Sequence, residues 1–158
     1  MIFITVGTQL PFDRMIKAID KWAGNRNDGK FFAQIGPGNY LPKNMKWTDF
    51  IQPEEFKLCF RKADVIIAHA GMGSILSALE TGKPIIILPR QAKFKEHRND
   101  HQMATAKHFN KIKGITVAFN EEELIQKLDN IGTTMVSKAI APHASKQLID
   151  YLKQFIDS

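Results

Sequence analysis

Short runs made only of aliphatic residues place the strongest constraint on how this chain folds. Residues 65–68 (Val-Ile-Ile-Ala) and Ile85–Leu88 are apolar throughout. Strands of this composition are typically buried on both faces, as in parallel sheets that are covered by helices on either side. Neither run approaches the roughly 20 residues that a membrane-spanning helix needs. We therefore expect a parallel sheet between two helical layers.

Strand-like and helix-like patterns alternate along the chain. Met15, Ile16 and Ile19, for example, recur at helical spacing as one apolar stripe. Strands that alternate with helices imply right-handed crossovers, so residues 1–158 are interpreted as one doubly wound α/β domain with a mainly parallel sheet. The predicted strands are residues 2–6, 30–35, 45–51, 64–69, 84–88 and 114–119. The predicted helices are residues 11–23, 53–62, 74–81 (with Gly82 as C-cap), 100–109, 121–129 and 142–156.

Charge and composition narrow the class of partner. The chain has 22 Lys and Arg against 16 Asp and Glu, a net charge of +6, which favours a polyanionic partner. No zinc spacing, basic heptad region or aromatic-rich RNA motif accompanies the charge, so nucleic acid is not expected. The single cysteine, Cys59, cannot form an internal disulfide, and the opening residues lack the basic segment of a signal peptide. These features favour the cytoplasm.

The segment that follows the strand at 64–69 is typical of an anion site. It reads His69-Ala70-Gly71-Met72-Gly73-Ser74 and leads straight into a helix. The glycines let the backbone turn sharply and approach a ligand, and Ser74 can cap the helix or donate to an anion. The free N–H groups of the first helical turn then form a site for a phosphate or diphosphate. The alternative is a tight turn in which the glycines serve packing only.

Two further polar segments are candidates for the same site. Gly7, Thr8 and Gln9 follow the first strand, and in a doubly wound sheet this loop can lie beside the His69 loop. Residues 97–102 (His-Arg-Asn-Asp-His-Gln) precede a helix with more donors and acceptors than a cap requires, a density that suits carbohydrate hydroxyls.

More conventional interpretations of these residues remain. Asp100 is ordinarily a capping residue at its position. Metal binding by His97 and His101, four residues apart, lacks a visible third ligand. The glycine loop is neither a Walker loop nor a full dinucleotide fingerprint, although an NADP-dependent oxidoreductase could use Arg90 for the extra phosphate.

Taken together, these motifs resemble the glycosyltransferase family 28 C-terminal domain, the nucleotide-sugar half of the two-domain GT-B fold. The resemblance is carried by residues 69–74, by Gly82-Lys83-Pro84 and by Asp100-His101-Gln102. Residues 4–9 are similar to the start of its small, free-standing members, which include the dolichol-pathway N-acetylglucosaminyl transferase subunit. Residues 89–90 and 96–102 resemble bacterial exopolysaccharide and capsule subunits of the PssE or EpsE type. The resemblance covers essentially the whole chain and implies a Rossmann-like, donor-binding domain.

The resemblance also implies roles for individual residues. The loops at 7–8 and 71–74, with His69, would meet the diphosphate of a UDP-sugar, and His69 is the candidate for stabilising the leaving group. Residues 50–51 match the segment that reads the uracil base, and residues 100–102 match the position that contacts the transferred sugar. The predicted substrate-binding residues are Gly7, Thr8, Gln9, Phe50, Ile51, His69, Gly71, Met72, Gly73, Ser74, Ser77, Glu80, Arg90, Asp100, His101 and Gln102.

One position departs from the family pattern. Relatives commonly place an acid eight residues after the histidine to hold the ribose hydroxyls, and here that position is Ser77. Glu80 lies three residues later, about 4.5 Å further along the helix axis. Glu80 either substitutes for the missing acid or is a surface charge.

The implied activity is that of a hexosyltransferase that needs a partner. We expect inverting transfer of a sugar from a UDP-sugar to a lipid-linked acceptor in exopolysaccharide or capsule biosynthesis, with no metal or other cofactor. A membrane-anchored subunit would supply the acceptor half and the general base, and would hold the chain at the inner face of the membrane. The apolar stripe of the last predicted helix is expected to dock this partner or to pack on the chain's own sheet. A non-catalytic, nucleotide-sugar-binding enhancer subunit is the main alternative.

Overall fold

The computed structural model describes residues 1–27 and 29–131, together with positions 146, 149, 150, 153 and 154. The predicted elements of the first 131 residues are all present, with ends that differ by three residues or fewer. The helix predicted at 142–156 lies outside the described residues except at the five positions named. The elements are β1 (Ile2–Thr5), α1 (Asp13–Ala23), β2 (Phe31–Gln34), β3 (Lys46–Thr48), α2 (Pro53–Lys62), β4 (Val65–His69), α3 (Met72–Glu80), β5 (Ile85–Leu88), α4 (His101–Phe109), β6 (Ile115–Val117) and α5 (Glu121–Asp129).

The six strands form one parallel sheet in the order β3-β2-β1-β4-β5-β6. The chain builds outward from β1 to β3 on one side, then returns to the centre and builds outward from β4 to β6 on the other. This doubly wound, Rossmann-like order confirms the predicted fold class. It also puts a switch point between β1 and β4, where the loops that follow the two strands diverge and leave a crevice.

The two aliphatic strands supply both faces of the core, as their composition predicts. Ile66, Ile85 and Ile87 pack into one hydrophobic cluster, whereas Ile67 and Ile86 pack into the other. All five side chains are fully buried, and each contributes about 1.5–3 kcal/mol by leaving water. No helix within the described ranges is long and apolar enough to cross a membrane.

The end of α3 corrects one detail of the sequence interpretation. Thr81, not Gly82, is the C-cap, and Gly82 follows it with a φ of +67°. The Gly82 N–H donates to the Leu79 carbonyl at 3.1 Å, and the Lys83 N–H donates to the Ala78 carbonyl at 2.8 Å. This is a Schellman motif, in which glycine occupies the left-handed position after the cap. It stops α3 after nine residues and returns the chain to β5.

Candidate functional site

A pocket of about 450 Å³ lies at the switch point of the sheet. The loops after β1 and β4 provide two of its walls, as the sequence analysis expects. A larger groove of about 760 Å³ between α1 and α5 shares no residue with it. The residues that line the switch-point pocket are Val6, Gly7, Thr8, Gln9, Leu10, Phe56, His69, Gly71, Met72, Gly73, Ser74, Ser77, Arg90, His97 and Gln102.

The N-terminus of α3 opens onto this pocket without a side-chain cap. Gly71 is the N-cap residue, and no side chain in the described part of the chain accepts from the first turn. The first helical bond runs from the Ile75 N–H to the Gly71 carbonyl at 3.2 Å, so the amides of residues 72–74 have no acceptor within the helix. Ser74 stands inside this turn and is not the cap, because α3 begins two residues earlier than predicted. The arrangement is suited to binding an anion.

His69, at the carboxyl end of β4, is held as a neutral imidazole. Burial disfavours its charged form, and the positive charge of Arg90 adds to this effect, so that the pKa of His69 is lowered to about 4. Its Nδ1 atom lies 3.1 Å from the Gln102 side-chain nitrogen. The ring fits tightly between two glycines, since a Cβ on either Gly7 or Gly71 would lie 2.7 Å from its Nε2 atom. Larger residues at these positions would displace the imidazole.

The loop after β1 is shaped by two buried polar residues that the sequence analysis did not identify. The Thr5 hydroxyl donates to the Gln34 Oε1 atom at 2.6 Å and accepts from the Gly7 N–H at 3.2 Å. The Gln34 Nε2 atom donates to the Gly7 carbonyl at 2.9 Å. Gly7 has a φ of +80°, which glycine adopts without strain. The sequence signal that could have identified Thr5 and Gln34 is that each is the polar last residue of an otherwise apolar strand.

Arg90 holds the same loop from the opposite side. Its guanidinium donates to the carbonyl oxygens of Val6 at 2.6 Å, of Leu10 at 2.8 Å and of Pro11. The side chain is 2% exposed, and burial lowers the pKa of Arg90 to about 10, which leaves it charged at neutral pH. Both terminal nitrogens are therefore engaged with the backbone. The NADP interpretation required this guanidinium for the extra phosphate, and these contacts argue against it.

The polar segment at 97–102 divides between the pocket and the surface. Gln102 and His97 line the pocket, whereas Asp100 and His101 are exposed and do not. Asp100 occupies the N-cap position of α4 but does not cap it, since its carboxylate accepts from the Ala92 N–H at 2.9 Å. His97 was not among the predicted substrate-binding residues. Among the described residues no group of three His, Cys, Asp or Glu side chains is arranged to hold a metal ion.

The residues assigned to the base and the ribose lie farther out. Phe50 is 56% exposed, Ile51 is buried in the core, and neither lines the pocket. Ser77 does line it, and with Phe56 it also lines a neighbouring depression of about 230 Å³ that reaches Glu80. The Glu80 carboxylate is half-exposed and lies 3.8 Å from the Lys153 Nζ atom. The structure thus brings together most of the residues predicted to meet a diphosphate and places Glu80 beside a neighbouring depression.

Comparison with known proteins identifies similar chains. Human UDP-N-acetylglucosamine transferase subunit ALG13 is 30% identical over 120 residues, which are 70% of this chain and 10% of that protein. The UDP-N-acetylglucosamine--N-acetylmuramyl-(pentapeptide) pyrophosphoryl-undecaprenol N-acetylglucosamine transferase of Christiangramia forsetii is 24% identical over 114 residues, 64% of this chain and 30% of that one. The chain therefore spans a third or less of these relatives.

A solved structure shares the fold over its full length. The solution structure of ALG13 superimposes with a TM-score of 0.66 at 18% sequence identity, covering 99% of this chain and 96% of that one. The sequence model of the family described as "Glycosyltransferase family 28 C-terminal domain" matches residues 1–155 of this chain. This match spans nearly the whole chain and includes every residue of the pocket. The chain therefore belongs to the glycosyltransferase family 28 C-terminal domain family.

Proposed function

We propose that this chain is the donor-binding half of a two-part glycosyltransferase. It binds a UDP-sugar in the switch-point pocket and, without a metal ion, transfers the hexose with inversion to a lipid-linked acceptor. A membrane-anchored partner supplies the acceptor half and holds the chain at the inner face of the membrane. The product is an exopolysaccharide or capsule precursor, an assignment that rests on the resemblance of residues 89–90 and 96–102 to the bacterial subunits.

The observation that carries this proposal is the chemistry of the pocket lining. It combines an uncapped helix N-terminus with hydroxyls, imidazoles and a guanidinium, and the described lining residues include no carboxylate. A diphosphate is favoured there, and the charge that develops on departing UDP is stabilised by helix amides and by a donor from His69. Mg²⁺ prefers carboxylate oxygens, so this donor set suits metal-independent chemistry.

The choice of UDP-sugar is supported by the relatives. Two of them carry names that specify UDP-N-acetylglucosamine as donor, which makes this the first nucleotide sugar to assay. The name of the bacterial relative also specifies an acceptor attached to undecaprenol through pyrophosphate. A lipid-linked acceptor is therefore the class that we propose here.

The need for a partner is supported by a relative and by chemistry. The chain corresponds to 96% of the ALG13 structure, and ALG13 is named as a transferase subunit. The lining residues within the described part of the chain also include no carboxylate to deprotonate an acceptor hydroxyl. This second observation equally favours the alternative function, a nucleotide-sugar-binding subunit that does no chemistry itself.

Calorimetric titration tests the donor site directly. UDP in excess EDTA is expected to bind the isolated chain, and NADPH is not. Binding that disappears with EDTA and returns with magnesium would contradict the metal-free site. Binding of NADPH but not UDP would contradict the glycosyltransferase proposal.

A transfer assay then separates catalyst from accessory subunit. Membranes that contain the partner, UDP-N-acetylglucosamine and a lipid diphosphate acceptor are expected to show transfer only when the chain is added. Transfer that continues with a His69→Gln chain that no longer binds UDP would show that donor binding by this chain is not required, and would contradict both roles. Full turnover by the chain alone would contradict the need for a partner.

A further inference from the structure

The side chain of Gln102 makes three hydrogen bonds that determine its orientation. It is 7% exposed, and its Oε1 atom accepts from the Ala70 N–H at 3.2 Å and from the Arg90 N–H at 3.1 Å. Backbone N–H groups only donate, so the oxygen of the amide must face them. The Nε2 atom must then face the His69 Nδ1 atom, 3.1 Å away.

This orientation settles which nitrogen of His69 carries the proton. An amide nitrogen can donate a hydrogen bond but cannot accept one. The Nδ1 atom therefore accepts, and the proton of the neutral ring is on Nε2. Burial and the charge of Arg90 keep the ring neutral by lowering its pKa.

The protonated nitrogen lies between the two glycine loops, since a Cβ on either Gly7 or Gly71 would be 2.7 Å from it. Nε2 is the His69 atom nearest to a Cβ placed on Gly7, and Gly7, His69 and Gly71 all line the pocket. The ring thus places an uncharged N–H between the two glycines that flank it. A ring with the opposite tautomer would present a lone pair there and would repel a phosphate oxygen.

We propose that Gln102 is a positioning residue that locks His69 in the Nε2–H tautomer, so that His69 serves as a neutral hydrogen-bond donor to the diphosphate. The donor role rests on the proposed function, whereas the tautomer does not. The role of Gln102 is exerted through His69 and requires no contact between Gln102 and the sugar. Ala70 and Arg90 follow neighbouring strands, so the same amide also ties β4 to β5.

Gln102→Glu is the informative variant, because it keeps the length of the side chain and exchanges the donor for an acceptor. One carboxylate oxygen still accepts from the two backbone N–H groups, and the other now accepts from Nδ1. The proton should therefore move to Nδ1, and the pKa of His69 should rise. Gln126→Glu on α5 is the matched control, because Gln126 is exposed and does not line the pocket.

The first measurement is ¹⁵N NMR of the imidazole nitrogens in the unliganded chain, with His69 assigned by its absence in His69→Gln. The wild type and Gln126→Glu are expected to show an unprotonated Nδ1 and a protonated Nε2. Gln102→Glu is expected to show a protonated Nδ1 and an unprotonated Nε2. A protonated Nδ1 in the wild type would overturn the proposal, as would an unchanged tautomer in a folded Gln102→Glu. The wild-type spectrum decides even if the variant does not fold.

The second measurement is UDP affinity as a function of pH. Gln102→Glu is expected to bind about tenfold more weakly than the wild type at pH 8, because the donor is lost. The deficit should shrink as the pH falls and the ring becomes protonated, whereas a purely structural defect would give a constant ratio of dissociation constants. A constant ratio would overturn the role of Gln102 in donor binding. Failure of wild-type UDP binding would refute the proposed function and leave the NMR result intact.

Discussion

Gly71 and Gly73 lie two residues apart, yet the structure predicts opposite effects when each is replaced by alanine. Gly71 has ordinary extended backbone angles, φ −88° and ψ 137°, so an alanine there is not strained. Its Cβ would, however, lie 2.7 Å from His69 Nε2 and 2.8 Å from Nδ1. A Cβ on Gly73 would meet nothing within 4 Å. The pair separates contact with His69 from any general effect of removing a glycine.

The loss of stability expected for Gly71→Ala follows from the displacement of the His69 imidazole. Overpacking in a filled site costs about 1–3 kcal/mol, and loss of the Gln102 hydrogen bond adds about 1 kcal/mol, so Gly71→Ala is expected to lower stability by about 2–4 kcal/mol. For a chain of this length that corresponds to a fall in Tm of roughly 4–16 °C. Gly73→Ala is expected to keep or raise the Tm, because alanine favours the helix by up to about 1 kcal/mol.

Thermal unfolding followed by circular dichroism at pH 7 measures both variants, and a UDP titration of each completes the comparison. Gly73→Ala should fold well but bind UDP more weakly, since its Cβ occupies space that backbone approach to a diphosphate needs. An unchanged Tm for Gly71→Ala, or a larger loss for Gly73→Ala, would refute the packing described around His69.

Three further outcomes are expected. The pKa of His69 falls from 6.5 to about 4 on folding, so the unfolded chain takes up a proton first as the pH is lowered. The free energy of unfolding should therefore decrease by up to about 3 kcal/mol from pH 7 to pH 4. Urea unfolding of His69→Gln should lack this part of the decrease. Arg90→Lys replaces a guanidinium that contacts three carbonyls with a single ammonium, and urea unfolding should show a loss of about 2–3 kcal/mol; equal stability would contradict the loop-holding role. Glu80→Gln should weaken UDP binding by about 1–3 kcal/mol if Glu80 holds the ribose, while pyrophosphate binding stays the same; an unchanged UDP affinity would assign Glu80 to the surface.

The elements could be predicted from sequence because their signals are local. The aliphatic strands, the helical stripe of α1 and the glycine loop after β4 depend on spacing within a few residues. The short 3₁₀ turn at Ala92–Phe94 was missed, since it lies in a polar loop with no apolar periodicity. Strand order depends on the paths of the crossovers, which the local pattern does not specify beyond a doubly wound sheet.

The site was harder to predict where side chains form hydrogen bonds with backbone groups that are distant in the sequence. Arg90 was expected at the substrate; it does line the pocket, and its terminal nitrogens contact a loop about 80 positions earlier in the chain. Asp100 was expected to contact the transferred sugar, with a helix cap as the conventional alternative, and its carboxylate accepts from the loop that follows β5. In both cases the tertiary fold brings the side chain to backbone groups that local sequence does not identify.

The contacts of Arg90 and Gln102 also have a consequence for how the protein is made. The carbonyl groups of the β1 loop accept hydrogen bonds from Arg90, which lies 79 to 84 positions later in the chain. His69 is contacted by the Gln102 side-chain amide, 33 positions later. Such non-local pairings form late, because closing the intervening chain costs entropy before any contact forms. A nascent chain that has emerged from the ribosome only as far as the start of α3 carries both glycine loops but lacks the side chains that hold them. The pocket is therefore complete only after β5 and the start of α4 have formed, because Arg90 and Gln102 supply these contacts.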